Sequence, residues 1–208
     1  MTANGPVVHA FDGVAGRVDA LGLRTIGFTS AVLAEGVSTV ALGTALALAS
    51  LRQESVLLID ANWLQPSLTA DAHLESASGL ADCLTRSASL DTVARRRPGS
   101  LLSFLPIGDI TAARPTLRTV SSFLADRVPA SVTVVVDLPP ALAGESLVLP
   151  WAALLDQVFV VVREAATPFP LVRQALGTVG LAAPPQIVLN RAMGSPAAMP
   201  IGMLAAKT

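Results

Sequence analysis

Apolar positions along this 208-residue chain fall into two kinds of run. Short, nearly unbroken runs rich in β-branched residues occur at 24–30 (RTIGFTS), 55–61 (SVLLIDA), 131–137 (SVTVVVD), 157–163 (QVFVVVR) and 185–190 (PQIVLN), with a weaker one at 101–106. A strand covered on both faces needs apolar side chains at successive positions, so these runs predict central strands of a buried sheet. Between them lie stretches that predict helices: 36–52, rich in Ala and Leu, then 116–127, 145–155 and 170–180, with Pro and Gly near their ends. Alternation of the two types over the whole length predicts an α/β fold, a mostly parallel central sheet with helices on both faces. No solenoid-period repeat and no linker divides it. A single domain over 1–208 is expected, with 1–22 as an N-terminal extension and 192–208 as a tail.

Composition narrows the classes of function. The chain is 52% hydrophobic and 14% charged, with a mean hydropathy of +0.61. The longest apolar stretch, 40–51, is interrupted by Gly43, Thr44 and Ser50 and falls short of the roughly 20 residues a membrane helix needs. Residues 1–10 lack a basic segment leading into an apolar run, so no secretory signal is expected. Fourteen basic residues against fifteen acidic ones leave a net charge of −1. That balance argues against nucleic acid as a partner, since such binding rests on excess Lys and Arg. Cys83 is the one cysteine, which rules out an intrachain disulfide and a Cys-rich zinc site. With His9 and His73 the only histidines, metal hydrolysis lacks ligands. A cytoplasmic location is expected.

Ligands of open α/β sheets sit at the carboxyl ends of strands, which directs attention to Ser30, Asp60, Asp137 and Asn190. The first strand runs into Ala31-Val32-Leu33-Ala34-Glu35-Gly36-Val37-Ser38-Thr39 and then a helix. This has the outline of a phosphate-binding loop, [AG]-x-x-x-x-G-K-[ST]. Ala31 opens it, Gly36 holds the last glycine position, and Ser38 stands where a hydroxyl would meet magnesium. Val37 stands where the lysine belongs. Asp60 and Asp137 close two further strands, as magnesium–nucleotide chemistry would need; one could position a nucleophile and the other hold the metal. Taken singly, an Asp after an apolar strand is as well explained as a cap or turn residue.

The run TIGFTSAVLAEGVSTVALGTALALA, followed by VLLIDANWLQPSL, SGLADCL, LLSFLPIG, VTVVVDLPPAL, DQVFVVVREAATP and QIVLN, resembles the cytoplasmic ATPase domain of bacterial tyrosine kinases. Those kinases serve capsule and exopolysaccharide synthesis and are relatives of the Min and Par partition ATPases. The resemblance spans roughly residues 23–191. It implies a nucleotide site formed by Ala31, Glu35, Gly36, Val37, Ser38, Thr39 and Asn190, with Ser38, Asp60 and Asp137 at the magnesium. It also implies an inner-membrane polysaccharide co-polymerase as partner, self-association, and a place in the cytoplasm or peripheral to the inner membrane through that partner.

The departures from the family pattern matter as much. Its loop reads approximately P-G-E-G-K-[ST], where this chain has Leu33, Ala34, Glu35, Gly36, Val37 and Ser38. The second acidic residue after strand two is Asn62 here, and the following arginine position is Leu64. A tyrosine cluster has no counterpart, because the 208 residues contain no tyrosine. Losing one charged contact to a reacting phosphate commonly costs about 3–4 kcal/mol, or about 10²–10³ in rate. The sole lysine, Lys207, lies in the tail, which leaves an arginine such as Arg86 or Arg114 to supply the charge.

The resulting expectation is a catalytically inactive relative of these kinases, acting as a regulatory or scaffold partner, with no cofactor. The alternative is a working ATPase or protein kinase with an unusual loop, holding Mg·ATP or Mg·ADP. A dehydrogenase is disfavoured because no G-x-G-x-x-G follows the first strand, and a hydrolase because no G-x-S-x-G occurs. Arg95-Arg96-Arg97 reads as a solvated face, Trp63 and Trp151 as core or interface, and Cys83 as buried and inert.

Overall fold

The computed structural model describes residues 10–190 apart from 165 and 181. After a first helix, α1 (Asp12–Ala20), the chain forms β1 (Thr25–Ser30), α2 (Val37–Arg52) and β2 (Val56–Asp60). Three short helices follow, α3 (Ser67–Asp71), α4 (Leu80–Leu84) and α5 (Leu90–Val93), then β3 (Arg95–Arg96) and β4 (Leu102–Leu105). The remainder is α6 (Leu117–Arg127), β5 (Thr133–Asp137), α7 (Glu145–Ala152), β6 (Gln157–Arg163), α8 (Phe169–Val179) and β7 (Gln186–Asn190). The seven strands form one sheet in the order β3-β4-β2-β5-β1-β6-β7, with every pairing parallel except β3 against β4.

Two hydrophobic layers explain the unbroken apolar runs. Val56 and Leu58 of β2 face the side covered by α1 and α2, where Leu42 and Leu48 meet Phe28 and Phe159. Leu57 and Ile59, one residue out of step, face the side covered by α6, α7 and α8, with Val120, Phe123, Trp151 and Val172. Each face takes alternate residues, so both must be apolar. Trp151 is fully buried, edge-on to Phe123 with ring centroids 6.5 Å apart. Trp63 is buried as well and donates its indole N–H to the Ala113 carbonyl at 3.0 Å. Burial pushes the Cys83 thiol up to about 11, which leaves it protonated and inert.

Several elements differ from the sequence expectation. Part of the segment read as an extension is α1, whose Ala15 and Val18 are buried against α2. The preceding Phe11 ring sits over Gly43, where an added Cβ would lie 2.2 Å from the ring. Gly13 and Gly16 weaken this helix locally, so tertiary packing holds it. Arg95 and Arg96, read only as part of a solvated face, form a short antiparallel edge strand. His73, open to a capping or packing role, is exposed at a turn with φ 56°. The tail 192–208 lies outside the described residues. No helix among the described residues is long and apolar enough to cross a membrane.

Candidate functional site

The carboxyl ends of β1, β2 and β5 meet the start of α2, because β5 lies between β2 and β1 in the sheet. The loop from β1 turns twice through left-handed backbone, at Ala34 (φ 65°) and Gly36 (φ 86°). Gly36 has a second reason to be glycine, since a Cβ there would stand 2.3 Å from Asn190 Nδ2. Ala34 has no such freedom and carries the steric cost of the left-handed region, about 1 kcal/mol. The loop thus makes its left-handed turn at position 34 without a glycine.

Gly36 caps α2 without a side-chain bond, and no acidic residue occupies the first turn. The N–H groups of Gly36, Val37 and Ser38 donate to no group among the described residues. An open helix start of this kind attracts anions through its free donors and its dipole. It borders a cavity of about 270 Å³, whose lining includes Leu33, Glu35, Val37, Ser38, Thr39 and Asn62. None of the described residues lining it is basic. Val37 is only 7% exposed and packs with the α2-side core, whereas Leu33 projects at 55% exposure. Neither arginine suggested as a substitute lies here: Arg86 lines a different cavity, and Arg114 is not part of this lining.

The loop is tied to the far strands through Glu35, which is buried. Its Oε2 accepts from the Arg163 backbone N–H and from the Thr167 hydroxyl. Its carbonyl accepts from Asn190 Nδ2 at 2.9 Å. Glu35 and Asn190 therefore spend these groups on holding the loop, across sequence separations of more than a hundred residues. Ala31 is buried in the core and does not line the cavity.

The two strand-end aspartates are register partners on β2 and β5, and both are fully buried. Their surroundings differ. Asp60 Oδ2 accepts from Thr69 N–H at 2.9 Å and Thr69 Oγ1 at 2.8 Å, while its Oδ1 accepts from Asn62 N–H at 3.1 Å. Burial still raises its pKa to about 6, against the lowering effect of those bonds. Among the described residues, Asp137 has no hydrogen-bond partner on either carboxylate oxygen. Burial first, and then repulsion from Asp60, push its pKa well above the ordinary carboxylate value. Ser38 counters this in part: its hydroxyl accepts from Ser67 Oγ at 2.8 Å, which leaves its own proton free beside Asp137, though outside hydrogen-bond geometry.

A buried carboxylate with no donor costs stability unless a proton or a cation meets it. Asp137 lies beside the Ser38 hydroxyl at the start of α2, fully buried and outside the cavity lining. The fold around it answers the question of kinship. The chain has the fold of the Min/Par-type P-loop ATPases, and bacterial tyrosine-kinase domains are its structural neighbours. The VpsO kinase domain is 25% identical, with a TM-score of 0.74 over 89% of this chain and 94% of that one. The kinase domain of Escherichia coli tyrosine kinase Etk is 19% identical, with a TM-score of 0.73 over 96% and 86%. The septum site-determining protein MinD of Pyrococcus horikoshii, complexed with Mg-ADP, is 20% identical, with a TM-score of 0.62 over 83% and 72%. No protein-family model and no curated protein matches the sequence.

Within this P-loop fold, sequence reasoning located Gly36, Val37, Ser38, Thr39, Asp60 and Asp137, and all cluster at one end of the sheet. It missed Ser67, which holds Ser38, and Thr69, which holds Asp60. The P-S-L run after strand two contains Ser67 and was the available signal. Thr69 carried none, because its role depends on the fold bringing it back over Asp60.

Proposed function

We propose that this protein is a degenerate, catalytically inactive relative of the bacterial tyrosine kinases, acting as a scaffold or regulatory partner in exopolysaccharide or capsule synthesis and export. One observation carries this reading: Val37 is buried where the loop lysine belongs, and no described basic side chain lines the cavity in its place.

Of the residues a magnesium nucleotide would need, Ser38 lines the cavity, whereas Asp137 and Asp60 are fully buried and do not. The Ser38 hydroxyl would meet the ion, with Asp137 behind it acting through water. Bound magnesium would neutralise phosphate charge. The α2 amides would orient a phosphate, and Glu35 and Asn190 would fix the loop beneath it. The phosphate-facing half does not fit phosphoryl transfer, because among the described residues no basic side chain lines the cavity to stabilise charge developing on the terminal phosphate. Nucleotide is retained without turnover or not held at all.

The partner suggested by the kinase-like fold is the cytoplasmic segment of an inner-membrane polysaccharide co-polymerase, engaged together with further copies of this chain. Loss of nucleotide control would make that assembly constitutive. Sedimentation velocity of the full chain, alone and mixed with such a segment, tests this. The expected result is a self-associated species or a complex whose size is insensitive to ATP. A monomer that ignores the segment contradicts the scaffold reading.

A second reading, a working ATPase or kinase, is favoured by the retained Asp137 and Ser38. It predicts ATP hydrolysis that depends on both.

A further inference from the structure

A second polar cavity, of about 290 Å³, lies between α4 and α6 and shares no lining residue with the loop cavity. Three arginines reach it from three places: Arg86 from the turn after α4, Arg118 from the first turn of α6, and Arg127 from its last. Thr119 and Ser122 also line it, and among the described residues no carboxylate does. In a chain whose net charge is −1 this is a local concentration of positive charge.

The arginines are unequally engaged. Arg127 donates to the Ala88 carbonyl at 3.1 Å, which spends one of its five N–H groups. Arg86 sits in left-handed backbone (φ 62°), where a glycine would be easier, and donates to Ser122 Oγ at 2.6 Å. Its guanidinium is 3.6 Å from Asp126, a carboxylate on the solvent side that also accepts from Ser122 Oγ at 2.7 Å. Arg118 is exposed and bonds to no described residue. Guanidinium groups match phosphate oxygens in pairs, and a third charge favours a dianion over a single carboxylate. The volume suits a phosphate with a small attached group rather than a polymer.

We infer that this cavity is a binding site for a phosphate monoester, separate from the loop. Arg86, Arg118 and Arg127 clasp the dianion, and Asp126 competes with it for Arg86. The same group could reach the cavity on a small sugar phosphate or on a phosphorylated aromatic side chain. Glucose 1-phosphate and phenyl phosphate distinguish these sources.

Each compound is titrated into the full chain at constant ionic strength, with backbone amide NMR shifts as the readout. Saturable shifts at residues 84–87 and 118–123 are expected, with those of 36–39 unmoved. Arg118→Ala, which removes no hydrogen bond or ion pair among the described residues, weakens binding about tenfold, while Asp126→Asn tightens it. Arg173→Ala, outside the cavity, leaves it unchanged. Shifts confined to residues 36–39, shifts that never saturate, or equal affinity in parent, Arg118→Ala and Asp126→Asn would each overturn the assignment.

Discussion

Asp60 and Asp137 are the same residue type at the same level of the same sheet, yet they do different work. Asp60 is surrounded by donors and organises the chain: through Thr69 it fixes α3, and Thr69 Oγ1 in turn accepts from Ile107 N–H at 3.0 Å. Asp137 is surrounded by apolar strand, with the Ser38 hydroxyl beside it and no hydrogen bond to either oxygen among the described residues. Asp60, held for architecture, collects hydrogen bonds, whereas Asp137, which the proposal places at an ion, is left short of them. The same division runs through the loop. Glu35, Gly36 and Asn190 still brace it, and Ser38 still faces Asp137, while Val37 has joined the core.

The comparison can be broken most strongly at Thr69. Thr69→Val keeps the volume but leaves Asp60 without one donor and Ile107 N–H without its acceptor, two buried polar groups at about 1–3 kcal/mol each. A loss of about 4 kcal/mol is expected from urea denaturation. A change under about 1 kcal/mol would mean that Asp60 does not anchor this region.

Acidity separates the pair next. The native state holds protons on these carboxyls longer than the unfolded chain does, because both folded values are raised. Their contribution therefore favours folding at low pH and is lost as pH rises. For Asp60 the window runs from about 4 to about 6, a loss of about 3 kcal/mol. Asp137 extends the loss to higher pH. Denaturation midpoints across pH 4–8 check the sign.

Asp137→Asn should then do the opposite of Thr69→Val. It removes a buried charge that has no partner and relieves Asp60, so stability at pH 7.5 should rise by about 2 kcal/mol, with a flatter pH profile. Saturating Mg²⁺ should narrow the gap between parent and variant if the ion reaches Asp137. Destabilisation by Asp137→Asn would show that the carboxylate has a partner after all.

The smallest effect lies in the loop. Ala34→Gly releases left-handed strain at φ 65° and should stabilise by about 1 kcal/mol or less, offset by the added freedom of the unfolded chain. Thermal denaturation reads it.

Much of this was legible in the sequence, for identifiable reasons. The strands announced themselves because a sheet packed on both faces leaves no polar positions, as in VTVVVD. Gly36, Val37 and Ser38 could be picked out because a phosphate loop fixes spacing, and the fold brings all three to one cavity at the start of α2. Helix α1 was not, since its glycines hide an apolar stripe that exists only against α2 and Gly43. The commitment of Glu35 to Arg163 and Thr167 could not be read either, because it depends on where β6 lies in the sheet. Arg86 was considered for the loop and belongs instead to the α4–α6 cavity, a convergence that only the tertiary fold creates.

The central proposal is that Val37, standing where a loop lysine would, leaves the site without turnover. Calorimetric titration of the parent and of Val37→Lys with Mg·ATP and Mg·ADP tests it most directly. A lysine stem can follow the path of Val37 and carry its ammonium out to the cavity. The account predicts no turnover and no more than weak binding by the parent, with clear binding by the variant. Micromolar binding and hydrolysis of Mg·ATP by the parent itself would contradict it.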